Sequence, residues 1–213
     1  MQTYHKIQTA YLRDPATNHK TLLRGQWAKP EFEYLKDNLW EATEKIDGTN
    51  IRVMFDGEKV WFNGKTDNAN THKDLLKYLA NTFTLEKMQA QFGVEPTEVC
   101  LYGEGFGAGI QSGGYYRQDK GFILFDTLIG GVWLERPSIE DIAKAMECPI
   151  VPIITIRPLE QLIEIVADGF LSMVAEDRGH QAEGLIMKPL TQMFNRRGER
   201  IITKIKAKDF NAR

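Results

Sequence analysis

Ile51-Arg52-Val53-Met54-Phe55-Asp56-Gly57-Glu58-Lys59-Val60-Trp61-Phe62-Asn63 reads as two strands joined by a turn. The first run alternates, β-branched and aromatic residues fill both runs, and Asp56-Gly57-Glu58 supplies the turn, so the stretch predicts an antiparallel hairpin. The β signal reaches back to residue 42, and Asp47-Gly48-Thr49-Asn50 just ahead of the hairpin reads as a tight turn.

Beyond the hairpin the period changes. Leu75, Leu76, Leu79 and Phe83 mark a helical face opened by Thr71 and Asp74 as an approximate capping box, and a further turn or two passes through Leu85, Met88 and Phe92 to Gly93. Val99 to Tyr102 predicts a strand entering a glycine-dense loop, and Phe122 to Ile129 one that turns at Gly130-Gly131 into Val132-Trp133-Leu134. Ser138 to Met146 and Leu159 to Val166 read as amphipathic surface helices flanking a strand at 150–156. Gly184 to Lys188 and Arg200 to Lys206 read as closing strands around the turn-rich Asn195-Arg196-Arg197-Gly198. Short turns join most neighbouring strands, so the expected fold class is α+β, with mostly antiparallel sheets flanked by helices. With no repeat, low-complexity tract or Gly/Ser linker, residues 1–213 are expected to form a single domain.

Composition narrows the function. The 213 residues carry 27 Lys+Arg against 29 Asp+Glu, a net charge of −2, so any polyanion must be held by local cations rather than by a basic tail. Cys100 and Cys148 are too few for a disulfide scaffold, and no charged-then-apolar leader opens the chain, which makes a cytoplasmic location the expectation. The apolar run Ile150 to Ile156 is broken by Pro152 and falls short of the ~20 residues of a membrane span, so no membrane partner is expected.

Two phosphate-loop readings fail on spacing. Six residues separate Gly57 from Gly64-Lys65-Thr66, where the P-loop needs four between its glycines. Gly103-Glu104-Gly105-Phe106-Gly107-Ala108 matches Gly-x-Gly-x-x-Ala, but Gly109-Ile110-Gln111-Ser112-Gly113-Gly114 cannot open the helix a dinucleotide site requires. His5, His19, His72 and His180 have no metal-ligand spacing and read as solvated.

There remains an ordered set: Glu44-Lys45-Ile46-Asp47-Gly48-Thr49-Asn50, Tyr102-Gly103-Glu104-Gly105, Phe125-Asp126, Glu183-Gly184-Leu185-Ile186-Met187-Lys188, and Lys204-Ile205-Lys206. Each alone has a plain structural reading: a solvated lysine at a strand end, turn carboxylates, a charged strand face. Together, over roughly three quarters of the chain, they resemble the motifs of the covalent lysyl-nucleotidyltransferases, the polynucleotide ligases and messenger-RNA capping enzymes. The likeness is nearest to ATP-dependent RNA ligases of the phage RNA ligase 2 type.

That resemblance implies a nucleotidyltransferase (ATP-grasp-like) domain in which Lys45 forms a lysyl-AMP intermediate. A lysine attacks phosphorus only as the neutral amine, so the site must favour proton loss, and Lys204 and Lys206, on one face of a strand by its two-residue period, are the cations expected to promote it. The resemblance assigns Asp47-Gly48 to the loop behind the nucleophile, Glu44 to the adenine amino group and Asn50 to the later phosphodiester step. It assigns Glu104 to the ribose hydroxyls, Phe125 to stacking on adenine, and Glu183 to the metal and phosphates. Ile46 and Lys188 join the nucleotide site, and Asp126 follows the stacking residue. The lysine pair is placed on Lys204 and Lys206 in preference to Lys206 and Lys208, because that leaves a short spacer before Asp209-Phe210.

The chain departs from the family at Lys65, where an arginine is usual and a lysine offers one point charge in place of a fork. It also ends seven residues after Lys206, so neither an OB fold nor a C-terminal helical domain is expected. The implied activity is ATP-dependent RNA joining: AMP passes from Lys45 to a 5′-phosphate and leaves as a 3′-hydroxyl attacks. The expected cofactors are ATP and Mg2+, with Mn2+ as an alternative metal, and the partners are RNA ends, with a helper protein or second domain in trans as a further candidate. A small DNA ligase, a capping-type guanylyltransferase and a non-catalytic nucleotide- or RNA-end-binding module are the rival readings. Arg117, Lys120, Arg196, Arg197 and Arg200 are candidate phosphate contacts, and Tyr115-Tyr116 a candidate base platform.

Overall fold

The computed structural model describes residues 3–66, 71–95 and 97–210. In chain order the elements are β1 (Gln8–Thr9), β2 (Tyr11–Arg13), β3 (Leu22–Trp27), α1 (Pro30–Leu35), β4 (Trp40–Glu44), β5 (Thr49–Phe55), β6 (Val60–Asn63), α2 (Lys73–Thr82), α3 (Leu85–Phe92) and β7 (Val99–Phe106). They continue with β8 (Gly121–Ile129), β9 (Val132–Trp133), α4 (Arg136–Ala145), β10 (Ile153–Arg157), α5 (Leu159–Asp168), β11 (Gly184–Pro189) and β12 (Thr203–Lys206). The described chain divides into two compact units: one built from residues 3–5, 47–151 and 175–177, the other from residues 6–46, 152–174 and 178–210. The fold class is α+β with antiparallel sheets flanked by helices; among the described strands β1 and β12 pair in parallel.

The first unit is an antiparallel sheet in the order β6-β5-β7-β8-β9. The hairpin stands as expected, Phe55 opposite Val60, with the Asp56 carboxylate accepting the N–H groups of Glu58 and Lys59 and Gly57 in the left-handed region. Ile51, Val53 and Phe55 alternate onto the face covered by Leu75 and Leu79 of α2, Met88 of α3 and Ile139 and Ile142 of α4. Three expectations change here. Thr49 and Asn50 begin β5 rather than sitting in the preceding turn. The strand through Val99 does not stop at Gly103 but runs to Phe106, because the missing side chains of Gly103 and Gly105 leave room on the core face for Phe122 and Leu75. α2 is capped by His72, whose Nδ1 accepts the Asp74 N–H at 3.2 Å, so the helix starts one residue after the position the Thr71 box implied.

The second unit holds the sheet β1-β12-β11-β4-β10 and the small pair β2-β3. Trp40 and Ala42 of β4, Leu185 and Met187 of β11 and Ile205 of β12 share a buried face covered by Leu159, Leu162, Ile163 and Val166 of α5 and by Phe32 and Leu35 of α1. The strand expected at 150–156 occupies Ile153–Arg157, and the one expected at 200–206 is shorter, Thr203–Lys206. α4 begins two residues before Ser138, with Pro137 in its first turn, where a missing N–H costs nothing. The short elements before residue 40 carried no period that the sequence made legible.

Candidate active site

β4 delivers Lys45 at its end, and the Lys45 N–H donates to the Gly184 carbonyl at 2.9 Å, where β11 begins. Since Glu41 lies opposite Lys188 and Thr43 opposite Ile186, and Ile186 lies opposite Lys204, one face of this sheet is polar and carries Glu41, Thr43, Lys188, Lys204 and Lys206. The ammonium of Lys45 donates to Glu183 Oε2 at 2.6 Å and to the Ile46 carbonyl at 3.3 Å. Lys206 Nζ meets the other oxygen, Glu183 Oε1, also at 2.6 Å. One carboxylate therefore grips two lysines, and all three side chains are largely but not wholly covered, 18%, 13% and 20% exposed for Lys45, Glu183 and Lys206. The expectation of a cationic surround for Lys45 is revised: the group in contact with its amine is Glu183, which stands between Lys45 and Lys206.

The three lysines of the 204–208 stretch differ in placement. Lys204 and Lys206 occupy one face of β12, whereas Lys208 is exposed in the turn of 3-10 helix Ala207–Asp209. That turn anchors Lys206: its N–H donates to Asp209 Oδ2 at 3.0 Å, while Arg13 pairs with Asp209 Oδ1 at 2.5 Å. Lys188 lies 3.6 Å from Glu41.

Glu44 points the other way from its neighbour. It is 1% exposed, its carboxylate accepts from the Ser172 hydroxyl and from the Met173 N–H at 2.8 Å, and burial raises its pKa against the pull of those two donors.

In the first unit, the face of the sheet opposite the core carries Asn50 and Arg52 of β5, Tyr102 and Glu104 of β7 and Asp126 of β8, with Asn50 opposite Glu104 and Tyr102 opposite Asp126. Leu124 and Asp126 would share a face in a regular strand. A bulge at Phe125 shifts the phase, sending Leu124 into the core and Asp126 to the polar face, and leaves Phe125 unpaired. The Tyr4 hydroxyl donates to Asp126 Oδ2 at 2.8 Å, and its ring meets Phe125 edge-on at 5.1 Å. Asn50 Oδ1 is buried without a hydrogen-bond partner among the described residues. Asp47 accepts the Ser112 N–H at 3.3 Å, tying the segment after Lys45 to the glycine-rich loop. A side chain on Gly48 would collide with the Gly105 carbonyl, so only glycine allows β5 to enter its pairing with β7 there. Lys65 is exposed in the bend after β6.

Arg52, Tyr4 and Ser172 are site components that the sequence did not single out. Arg52 had a signal, a charge amid the alternation of β5, and it is 1% exposed with Nε donating to the Gly64 carbonyl at 3.0 Å. Tyr4 and Ser172 had none, since their roles depend on partners 122 and 128 residues away. Of the candidate RNA contacts, Arg196 and Arg197 are exposed while Arg200 is buried; Tyr115 is exposed while Tyr116, 1% exposed, packs inside.

Among the described residues no group of three or more His, Cys, Asp or Glu side chains is arranged to hold a metal ion, and no helix is long and apolar enough to cross a membrane. The donor set, one carboxylate between two ammonium groups, fits a divalent cation carried mainly by phosphates and water rather than by a protein cage. The orphaned Asn50 acceptor beside Glu104 fits a ligand rich in hydroxyl donors.

The fold has known counterparts. A variant of the Naegleria gruberi RNA ligase solved with ATP and Mn aligns at 19% identity and a TM-score of 0.64, over 83% of this chain and 52% of that one. The same ligase with PPi aligns at 19% identity and 0.66, over 97% and 57%, and an apo variant at 17% and 0.66, over 98% and 60%. At such identities the likeness is one of fold, and the chain spans between half and three fifths of the length of those proteins. Residues 38–206, which hold every one of the ordered motifs, match the RNA ligase family model, and the chain belongs to the RNA ligase family.

Proposed function

We propose that the chain is an ATP-dependent nucleotidyltransferase that activates and joins RNA ends, with residues 1–213 serving as a single nucleotidyltransferase domain. The observation that carries this reading is the pair of contacts on Glu183, which hold the amine of Lys45 and the cation of Lys206 on the polar face of one sheet.

Lys45, once neutral, attacks the α-phosphorus of ATP; the new N–P bond forms as the bond to pyrophosphate breaks, giving lysyl-AMP. Lys206 and Lys204 offset charge developing on the phosphate oxygens, and Glu183 orients both the nucleophile and Lys206. Glu183 would help hold Mg2+, or Mn2+ in its place, which would supply positive charge to the phosphates. On the other sheet Glu104 accepts from the ribose hydroxyls, Phe125 stacks on the base, and Asn50 serves the phosphodiester step, with Asp47 holding the segment that follows the nucleophile. Ile46, Lys65 and Lys188 line the nucleotide site. AMP then passes to an RNA 5′-phosphate, a 3′-hydroxyl attacks that phosphate, and AMP departs. Because the chain covers only part of the ligases it resembles in fold, a partner or further segment that grips RNA is a natural complement.

Incubation with α-labelled ATP or GTP and Mg2+ tests the reading. Label from ATP that survives denaturation and vanishes in Lys45→Ala is the expected result, and a panel of nicked RNA, DNA and hybrid duplexes identifies the strand that is joined. A folded wild-type protein that takes no label from either nucleotide is a binding module instead. Label without joining, restored by an added partner, assigns RNA capture to that partner.

A further inference from the structure

Glu44 sits beside Lys45 in sequence but belongs to the opposite face of the sheet. Trp40, Ala42 and Glu44 alternate onto the face that carries Leu185 and Met187, the face packed against α5, and Glu44 lies directly opposite Leu185. An ionised carboxylate there is costly unless donors meet it. Both oxygens are met from a single segment: Ser172 gives the only proton of its hydroxyl to one, and the Met173 N–H serves the other. The segment is itself braced, since Ser172 Oγ accepts the Val174 N–H at 3.1 Å, the Ser172 N–H donates to the His180 carbonyl at 2.9 Å, and the Ala182 N–H to the Phe170 carbonyl at 2.9 Å. With 1% of the residue exposed, no edge of this carboxylate is open to a nucleobase. What the grip does fix is the end of β4, where the Glu44 N–H donates to the Pro152 carbonyl at 3.2 Å and the next residue is Lys45.

We propose that Glu44 and Ser172 are positioning residues: the pinned carboxylate holds the end of β4 so that the Lys45 amine is aimed, and neither side chain touches the nucleotide. The proposal rests on the reading of Lys45 as nucleophile. It separates the aiming of the amine, done from the core face, from base recognition, done elsewhere.

Single-turnover lysyl-AMP formation across a range of ATP concentrations tests it, with GTP as competitor, for wild type, Ser172→Ala, Ser172→Thr and Glu44→Gln, each checked for a native far-UV spectrum. A misaimed nucleophile costs rate, so Ser172→Ala and Glu44→Gln are expected to lower the rate at saturating ATP by about tenfold or more, with half-saturation and the preference for ATP unchanged. Ser172→Thr, which keeps the hydroxyl, restores most of the rate. Should Ser172→Ala fail to fold, Glu44→Gln carries the same comparison. A rise in half-saturation at unchanged rate, or a loss of ATP preference, makes Glu44 a base contact and overturns the proposal, as does wild-type behaviour of both variants. Absence of label in the wild type sinks the ligase reading itself, and the proposal with it.

Discussion

Lys206 and Lys208 are neighbours in sequence with unlike surroundings, one ion-paired to Glu183 and the other exposed in a turn. On the proposed mechanism Lys206→Ala removes a cation that serves the reacting phosphate and should slow covalent labelling by about a hundredfold. Lys208→Ala, an exposed change, should stay within about twofold of wild type; a reversed pattern in labelling kinetics moves the lysine pair to 206 and 208. Glu44 carries a pH signature as well. Burial holds its folded-state pKa above the ordinary 4.5, although Ser172, the Met173 N–H and the charge of nearby His180 pull it down. The folded protein therefore binds that proton more tightly than the unfolded chain, and stability falls as pH climbs from 4.5 towards the raised value, then levels. Glu44→Gln has no such slope. Urea unfolding at about pH 4 and about pH 7 should show the variant gaining on wild type between the two, and parallel behaviour at both refutes the assignment. Lys45, Glu183 and Lys206 could be singled out because they fall in charged motifs whose order along the chain resembles that of the ligases. Ser172 and Tyr4 could not, for a serine or tyrosine becomes informative only once a distant carboxylate is placed against it.

Among the elements, the junction of β11 and β12 is tight. Gly184 lies opposite Lys206 at a φ of +154°, and a Cβ there would strike the Ile205 backbone, so Gly184→Ala must push the strands apart at the point where Lys206 reaches Glu183. The variant is expected to lose about 1–3 kcal/mol of stability and its labelling rate together. Gly198, in an open turn, should tolerate alanine at a cost near ~1 kcal/mol and keep full labelling. Thermal unfolding paired with the label assay distinguishes the two, and normal labelling by Gly184→Ala removes the claimed link. The hairpin 51–63 could be read directly because alternation and turn chemistry agree there. β7 could not, since glycines that act as spacers for Phe122 and Leu75 look in sequence like loop residues. Nor could the bulge at Phe125, which shifts the phase of β8 without changing its composition.

Over the whole molecule, the two thiols report on burial. Cys100 and Cys148 are pushed up to about 11 and about 12 by desolvation, so almost no thiolate exists at neutral pH and neither should react with a disulfide reagent while the protein is folded. Both lie in the unit built around residues 47–151, so the rate of thiol labelling in mild denaturant should track opening of that unit; rapid native-state labelling contradicts their placement. The division into two units was the least legible feature, because each is assembled from non-adjacent stretches and no linker composition marks the crossings.

The strand order β1-β12-β11-β4-β10 also bears on synthesis. The sheet of the first unit is complete once Trp133 has been made, whereas β4 must wait for its partners β10 and β11, which come later in the chain. A nascent chain stalled soon after Val151 should already protect β5, β7 and β8 from proteases. Lys45, translated early, stays without Glu183 until β11 follows it off the ribosome, so its ion pair forms only after the sheet of the first unit is complete.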